Sequence, residues 1–264
     1  MGRIGDDNQF PKMRREILNS DYFKTRKPIK NMKITTWNLQ HGGGKRINSI
    51  ITSLKENIDT DLFILTEFRN NSGSELLKRE LIESGYTCLY TVDCPPTVNS
   101  VLIASKTEFS STSFEELEEH KNRIIKLENS SFTIYGCYFP LNEHKRKVFE
   151  FLLNEIDKNT TKNIIITGDY NTGKHFQDEK GATFIDSGYL NKFEEKGLID
   201  VWRNLNPDKK EYSWYSSAGN GFRLDHFYIH SQLNDQVVNC YYEHKYRENK
   251  ISDHSMMSLV MSKR

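Results

Sequence analysis

Eight consecutive residues, Ile164-Ile165-Ile166-Thr167-Gly168-Asp169-Tyr170-Asn171, constrain this chain more than any other stretch. A short β-branched run of this kind reads as a buried strand, and Thr167-Gly168 ends it. A buried strand needs a core to cover it, and 264 residues provide for one large domain or two small ones. Just past the strand end stand a carboxylate and an amide, two residues apart. Asp169 could take a proton from water, and Asn171 could donate to an anionic oxygen or orient that water. Open α/β sheets present sites in this place. Gly, Asp and Asn also make ordinary turns, so the assignment depends on the rest of the chain.

No apolar run approaches membrane-spanning length, and the N-terminus has no signal-peptide apolar region, so no membrane contact is expected. Cys88, Cys94, Cys137 and Cys240 show neither paired metal spacing nor a dense disulfide framework, which predicts a reduced, cytoplasmic compartment. A formal net charge of +1 gives no global attraction to nucleic acid, so any electrostatic footprint has to be local. The one distinct segment is N-terminal. Residues 1–33 carry Arg3, Lys12, Arg14, Arg15, Lys24, Arg26, Lys27, Lys30 and Lys33 against Asp6, Asp7, Glu16 and Asp21. We read 1–31 as a basic extension, either an arm on phosphates or a solvated leader, ahead of a domain over 32–264.

Lys33–Trp37 reads as a strand that runs into Gly42-Gly43-Gly44. Lys45-Arg46 follows the glycines where a Walker-type loop needs Lys-Ser/Thr, which excludes that site. Ile47, Ile50, Ile51, Leu54 and Ile58 have helical spacing, and Asp61–Thr66 is a buried strand ending at Glu67. A helix over Ser74–Ser84, strands over Tyr86–Val92 and Ser100–Ser105, and a solvated acidic stretch over Phe114–His120 follow. Arg123–Leu127 and Ser131–Phe139 form a hairpin, and Val148, Phe151, Leu152 and Ile156 mark a helix. A calcium loop starting at Asp169 fails, because Lys174 and Lys180 stand where Gly and Glu are required. Ser187–Gly197 is a helix, and Asp200–Arg203 begins another β region. Tyr212–Tyr215, Arg223–His230, Val237–Glu243 and Ser255–Met261 are strands. About a dozen strands and about four long helices without a repeat predict a single α+β domain with mixed sheets.

Asn38, Glu67, Asp169, Asn171, Asp225 and the pair Asp253-His254 stand at strand ends or inside half-buried strands. Asp225 interrupts an apolar strand, and a buried carboxylate needs a partner. His254 is the candidate, although a core histidine on a backbone carbonyl is equally compatible with the residues. Oxygen-rich ligands without a Cys/His cluster favour Mg²⁺ or Mn²⁺ over zinc, and this set suits phosphoryl chemistry. No nucleophile-elbow motif is present to support a Ser or Cys route.

The ordered set Thr36-Trp37-Asn38, Thr66-Glu67, Tyr138-Phe139-Pro140, Gly168-Asp169-Tyr170-Asn171, Arg223-Leu224-Asp225 and Ser252-Asp253-His254 resembles the endonuclease/exonuclease/phosphatase superfamily from about residue 32 onward. The resemblance implies a four-layer α/β/β/α sandwich of two mixed β-sheets flanked by helices. Tyr138, Arg69 and the stretches 197–203, 212–215 and 221–225 are most similar to the exonuclease III and abasic-site endonuclease branch. It implies that Glu67 binds the metal with Asn38 beside it, and that Asp253 completes the metal network. It implies further that Asp169 activates water, that Asn171 and Tyr138 contact phosphate or water, and that His254, oriented by Asp225, stabilises charge. Two departures stand out. Gln40 occupies a position where some abasic-site enzymes carry an acid, and 216–221 lacks the bulky basic residues that wedge into duplex DNA.

The expectation is therefore a monomeric, Mg²⁺- or Mn²⁺-dependent phosphodiesterase acting on nucleic acid, DNA rather than RNA, in DNA repair. A phosphatase on a small or lipid-borne phosphate ester is the alternative with the same chemistry. A non-enzymatic nucleic-acid-binding module is the third reading, disfavoured by the intact polar set.

Overall fold

The computed structural model describes residues 31–159, 161 and 163–262. Apart from Asn31, the expected basic extension lies outside the described residues. In chain order the strands are β1 (Asn31–Asn38), β2 (Leu62–Phe68), β3 (Cys88–Thr91), β4 (Ser100–Ser105), β5 (Ser110–Thr112), β6 (Ile124–Glu128) and β7 (Thr133–Tyr138). They continue as β8 (Ile164–Asp169), β9 (Leu198–Asp200), β10 (Trp214–Tyr215), β11 (Gly221–Phe222), β12 (Asp225–His230), β13 (Val237–Glu243) and β14 (Met256–Ser262). The helices are α1 (Ile47–Glu56), α2 (Ser72–Glu83), α3 (Lys145–Lys158), α4 (Gly188–Glu195), α5 (Val201–Leu205) and α6 (Lys245–Glu248).

Two six-stranded sheets result, ordered β13-β14-β1-β2-β4-β3 and β5-β6-β7-β8-β12-β9, with β10-β11 as a separate hairpin. Each sheet holds one parallel pair, β1 with β2 and β7 with β8, and the other pairings are antiparallel. A helix crosses over within each pair, so the C-terminal ends of four strands face one end of the molecule. Those ends carry Asn38, Glu67, Tyr138 and Asp169.

Alternation within the apolar strands assigns the layers. Leu62 and Ile64 of β2 and Ile165 of β8 enter the core between the sheets with Ile103, Ile134 and Phe227. Phe63 and Leu65 point the other way, onto Ile50, Leu54, Leu77 and Leu81 of α1 and α2. Ile164 and Ile166 likewise meet Val148, Phe149, Leu152 and Phe193 of α3 and α4. Both faces of the central strands are covered, which is why they read as continuous apolar runs, each side chain contributing roughly 1.5–3 kcal/mol on burial. The arrangement is the expected α/β/β/α sandwich. Gly136 sits where a Cβ would meet Ile103 Cδ1 of the facing sheet at 2.8 Å.

Four local expectations need correction. Val201–Leu205 is helical rather than β: the Asp200 carboxylate accepts from the Arg203 amide at 3.2 Å and starts a helix there. Asp225 does not interrupt a strand but begins β12, while Arg223 and Leu224 precede it. The strand expected over Tyr212–Tyr215 shortens to the pair Trp214–Tyr215. The acidic stretch after Phe114 forms 3₁₀ turns over Glu115–Arg123 that keep Leu117 and His120 buried, because only its glutamates face water.

Arg223 is fully buried, and its ion pairs tie three segments together. Its Nε donates to Asp178 Oδ1 at 2.7 Å and its Nη1 to Asp200 Oδ1 at 3.1 Å, while Nη2 donates to Asp200 Oδ2. Arg203 Nη2 adds a bond to Asp178 Oδ1 at 3.0 Å. The 172–183 loop, the β9–α5 junction and the approach to β12 are thereby fixed to one guanidinium. Burial pushes both carboxyls up, but Arg223 outweighs it and holds Asp178 and Asp200 below their ordinary value. A lowered folded-state pKa contributes stability that is complete above the unfolded value near ~4 and lost as pH falls below it toward the folded values. Arg223→Met is expected to cost about 3–5 kcal/mol in urea unfolding at pH 7, by stranding two buried carboxylates. The difference from wild type should shrink as the pH is lowered below ~4.

Candidate active site

Each strand end delivers its side chain through a local device. In β8, Gly168 has φ +142° and a Cβ there would lie 1.8 Å from Cys137 O, so only glycine lets Asp169 follow. In β2, the register against β4 shifts between Thr66 and Phe68, and Glu67 sits in this bulge with φ +51°. Asn171 has φ +49°, and Gln40 and His41 have φ +53° and +58°. Left-handed backbone at non-glycine residues costs about 1 kcal/mol or more each, and four of the nine such residues among those described stand at this cleft.

Asn38 joins the two sheets. Its Nδ2 donates to Asp169 Oδ2 at 2.8 Å and to Glu67 Oε1 at 3.2 Å, while its Oδ1 accepts from the Gln40 amide at 2.7 Å. Glu67 also accepts from Tyr138 Oη at 3.2 Å and from the His41 amide at 2.8 Å. Asp169 Oδ1 accepts from the Asn171 amide at 2.9 Å. The Asn171 side chain is turned to the Phe139 carbonyl, donating at 2.8 Å, so one amide N–H is spent on bracing the loop.

His254 Nδ1 lies 2.8 Å from Asp225 Oδ2, the pairing expected from sequence, and its Nε2 lies 4.0 Å from Asp169 Oδ2. Ser252 Oγ donates to Asn38 O at 2.6 Å, and Trp37 Nε1 donates to His254 O at 3.1 Å, stitching the 252–254 loop to β1. Asp253 Oδ2 accepts from Trp214 Nε1 at 3.1 Å. Trp214 packs against Phe222 with ring centroids 5.7 Å apart, an aromatic wall on this flank.

Burial lifts the Asp169 carboxyl to about 7; His254 opposes that rise and Asp225 adds to it. Burial works against a charged His254, but Asp225 and Asp169 outweigh it and raise the imidazole to about 10. Nδ1–H is therefore held on Asp225 and Nε2–H points at the cleft. Burial, then Glu67 and Asp169, push the Tyr138 hydroxyl up, so it stays a donor.

Glu67, Asp169, Asp225 and Asp253 outnumber the charge of His254, and Asp225 Oδ1 and Asp253 Oδ1 are buried without a hydrogen-bond partner. This carboxylate excess, free of cysteine, fits a hard divalent cation. Ligand atoms of Asp169, Asp225 and His254 lie within 4.8 Å of one another. The similar cluster of Asp178, Asp200 and His226 holds the Arg223 guanidinium instead.

Sequence reading missed Lys145. It sits in a Lys-Arg-Lys run that looks like a solvated helix start, yet it is only 2% exposed and its Nζ donates to Asn171 O at 2.5 Å. Burial lowers it to about 8 against the pull of Asp169 and Asp186. It also missed Asn99, whose Nδ2 donates to Tyr138 Oη at 3.4 Å. No pattern in the sequence marks either residue.

Imidazole NMR of the metal-free protein is expected to show His254 charged from pH 6 to 9. In Asp225→Asn its titration should move down toward neutrality, because a principal source of the upward shift is gone. An unchanged midpoint would break the assigned pairing.

The profile of the Endonuclease/Exonuclease/phosphatase family matches residues 35–254. A DNA-(apurinic or apyrimidinic site) endonuclease of Dictyostelium discoideum is 26% identical over 236 residues, covering 78% of this chain. The chain spans 64% of that relative's length. Among solved structures, a 3′ phosphatase, NExo, from Neisseria bound to product DNA hairpin superposes with a TM-score of 0.75 at 19% identity, covering 88% of this chain and 100% of its own. An AP endonuclease from Archaeoglobus fulgidus gives 0.73 at 22% identity, with 87% and 99% covered. At these identities the structures establish the shared fold.

Proposed function

The chain belongs to the endonuclease/exonuclease/phosphatase family, and from that premise we propose a divalent-metal-dependent phosphodiesterase that cuts nucleic acid, DNA ahead of RNA, in the manner of exonuclease III and the abasic-site endonucleases. The observation that carries this reading is the pairing of Asp169 and His254 across 4.0 Å, each held from behind by a bonded neighbour. An attacking water beside Asp169 Oδ2 and a phosphate oxygen beside His254 Nε2 would each meet an oriented partner at the mouth of this gap.

In this reading Asp169 Oδ2 takes the proton of the attacking water, and Asn38 Nδ2 keeps that oxygen in place. His254 Nε2–H donates to a non-bridging phosphate oxygen while Asp225 keeps the ring charged. The remaining amide N–H of Asn171 and the Tyr138 hydroxyl, which donates to Glu67, line the same phosphate; as the water oxygen bonds to phosphorus the P–O3′ bond breaks, and the 3′-oxygen leaves as a hydroxyl with a proton taken from solvent. Glu67 and Asp253, with Asn38 beside them, would hold Mg²⁺ or Mn²⁺, which when bound supplies Lewis-acid stabilisation of the phosphate and the leaving oxygen. Lys145 fixes the Asn171 carbonyl from behind.

The reading extends to a role in DNA repair as a monomer. All four cysteines are free thiols and no described helix is long and apolar enough to cross a membrane, which supports a reduced cytoplasmic setting. The 32–264 stretch acts as the catalytic unit.

Purified protein with Mg²⁺ is expected to cut one or more of linear, nicked or abasic duplex, single-stranded DNA and RNA, and to stop on chelation. Asp169→Asn should slow cleavage about 10²-fold or more with a melting curve near wild type, and His254→Ala should slow it as strongly while lowering stability, because the buried Asp225 loses its partner. Cleavage by Asp169→Asn at the wild-type rate would remove the assignment. Release of phosphate from monoesters with no strand cleavage would instead favour a phosphatase.

A further inference from the structure

The 211–215 segment belongs to neither large sheet; of it only Trp214 and Tyr215 pair, in the two-stranded β10-β11 hairpin. Its place against the cleft is therefore set by individual bonds, and these go to both members of the Asp225–His254 pair. Ser213 Oγ accepts from the Leu224 amide at 2.9 Å and the Asp225 amide at 3.3 Å, and Ser213 O accepts from the Ser255 amide at 2.9 Å. Trp214 forms an antiparallel bridge with His254. One end of the segment thus carries the backbone of the imidazole that faces Asp169.

Glu211 holds the other end. Its Oε1 lies 2.7 Å from His244 Nε2, and His244 Nδ1 lies 2.8 Å from Ser255 Oγ. Burial works against charge on Glu211, but the bonds to His244 and Lys209 outweigh it and hold the carboxyl below its ordinary value. A carboxylate only accepts, so Nε2 carries a proton, and Nδ1 completes the row with the Ser255 hydroxyl. The His244 ring lies parallel to Tyr242, with centroids 6.0 Å apart, and Tyr242 Oη donates to Asp225 O at 2.6 Å. Glu, His and Ser in a row resemble a nucleophilic triad, but Ser255 is fully buried and no substrate reaches it. What the row joins is three segments far apart in sequence: the approach to β10, the β13–α6 junction and the start of β14.

We propose that Glu211, His244 and Ser255 act as one positioning unit that latches the 211–215 segment onto the 253–255 loop and so keeps His254 aimed at the cleft. They are positioning residues, since none of the three touches the reacting atoms. The proposal rests on the nuclease reading above and deepens it, because the aim of the imidazolium assigned to the phosphate then depends on the hydrogen-bonded row behind it.

The test uses three substitutions in the full chain. His244→Phe keeps a ring beside Tyr242 and removes both bonds, Glu211→Leu removes one end of the row, and Glu211→Gln keeps an acceptor there. With Mg²⁺ and the oligonucleotide that wild type cleaves fastest, His244→Phe and Glu211→Leu are each expected to lower kcat about tenfold, since a small misplacement of a reacting group is costly. KM should stay within about twofold, because the aim of His254 matters to the transition state rather than to binding. The double variant should be no slower than His244→Phe, the mark of residues that act as a unit. Glu211→Gln should keep most of the wild-type rate. Leu81→Ala, in the α1–α2 layer, should lower the melting temperature with kcat unchanged. In the metal-free protein the Trp214 indole N–H resonance, assigned by its loss in Trp214→Phe, should move in His244→Phe and Glu211→Leu and stay in Glu211→Gln. Wild-type kcat in Glu211→Leu, additive losses in the double variant, an equal kcat loss in Leu81→Ala or an unmoved indole resonance would each overturn the latch. A moved resonance in a protein that cleaves no nucleic acid would support the latch and sink the nuclease reading.

Discussion

One amide group holds this site together. Asn38 Nδ2 reaches Glu67 beside it in one sheet and Asp169 in the other, so two carboxylates that would repel are placed by a shared donor. The bond spans the inter-sheet gap at the end where both parallel strand pairs open. The relative position of the sheets therefore sets the distance between the residues assigned to bind the metal and the residue assigned to activate water. The apolar interior behind it, with Ile64, Ile103 and Ile165 packed across the gap, keeps that distance fixed.

The charge balance follows from the same construction. Four carboxylates converge where burial raises the cost of charge, and each has a neighbour that lowers it: an amide for Asp169, an imidazole for Asp225, a tyrosine for Glu67, an indole for Asp253. What remains is a net negative pocket facing an imidazolium. On the adjoining flank, among the described residues, neither Arg69 nor Arg123 forms an ion pair with a carboxylate, and Arg69 reaches Glu67 only through His41. Any attraction for a polyanion would be local, since the chain's formal net charge is +1.

Much of this was legible before any coordinates. The acid at the mouth of β12 announces itself, since it has no business among apolar residues unless it is paired; Gly168 reads in sequence only as a strand end, whereas β8 runs through it to Asp169. The apolar runs identified the layers because each is covered on both faces. What stayed hidden depends on chain segments far apart. Lys145 reads as a surface lysine until α3 docks and carries it behind Asn171. Asn99 acquires meaning only when β4 and β7 align. The helix at Val201 was misread because its start is set by the Asp200 carboxylate, a three-residue signal inside a strongly apolar stretch. The positive φ values at Gln40 and Glu67 leave no trace in residue type, since neither is a residue that favours that backbone.

Strand order has a temporal side as well. β1 lies between β2 and β14, so the first described strand finds one of its two neighbours only in the last. Asn38 and Glu67 leave the ribosome well before Ser252, His254 and β14, the strand that seats them.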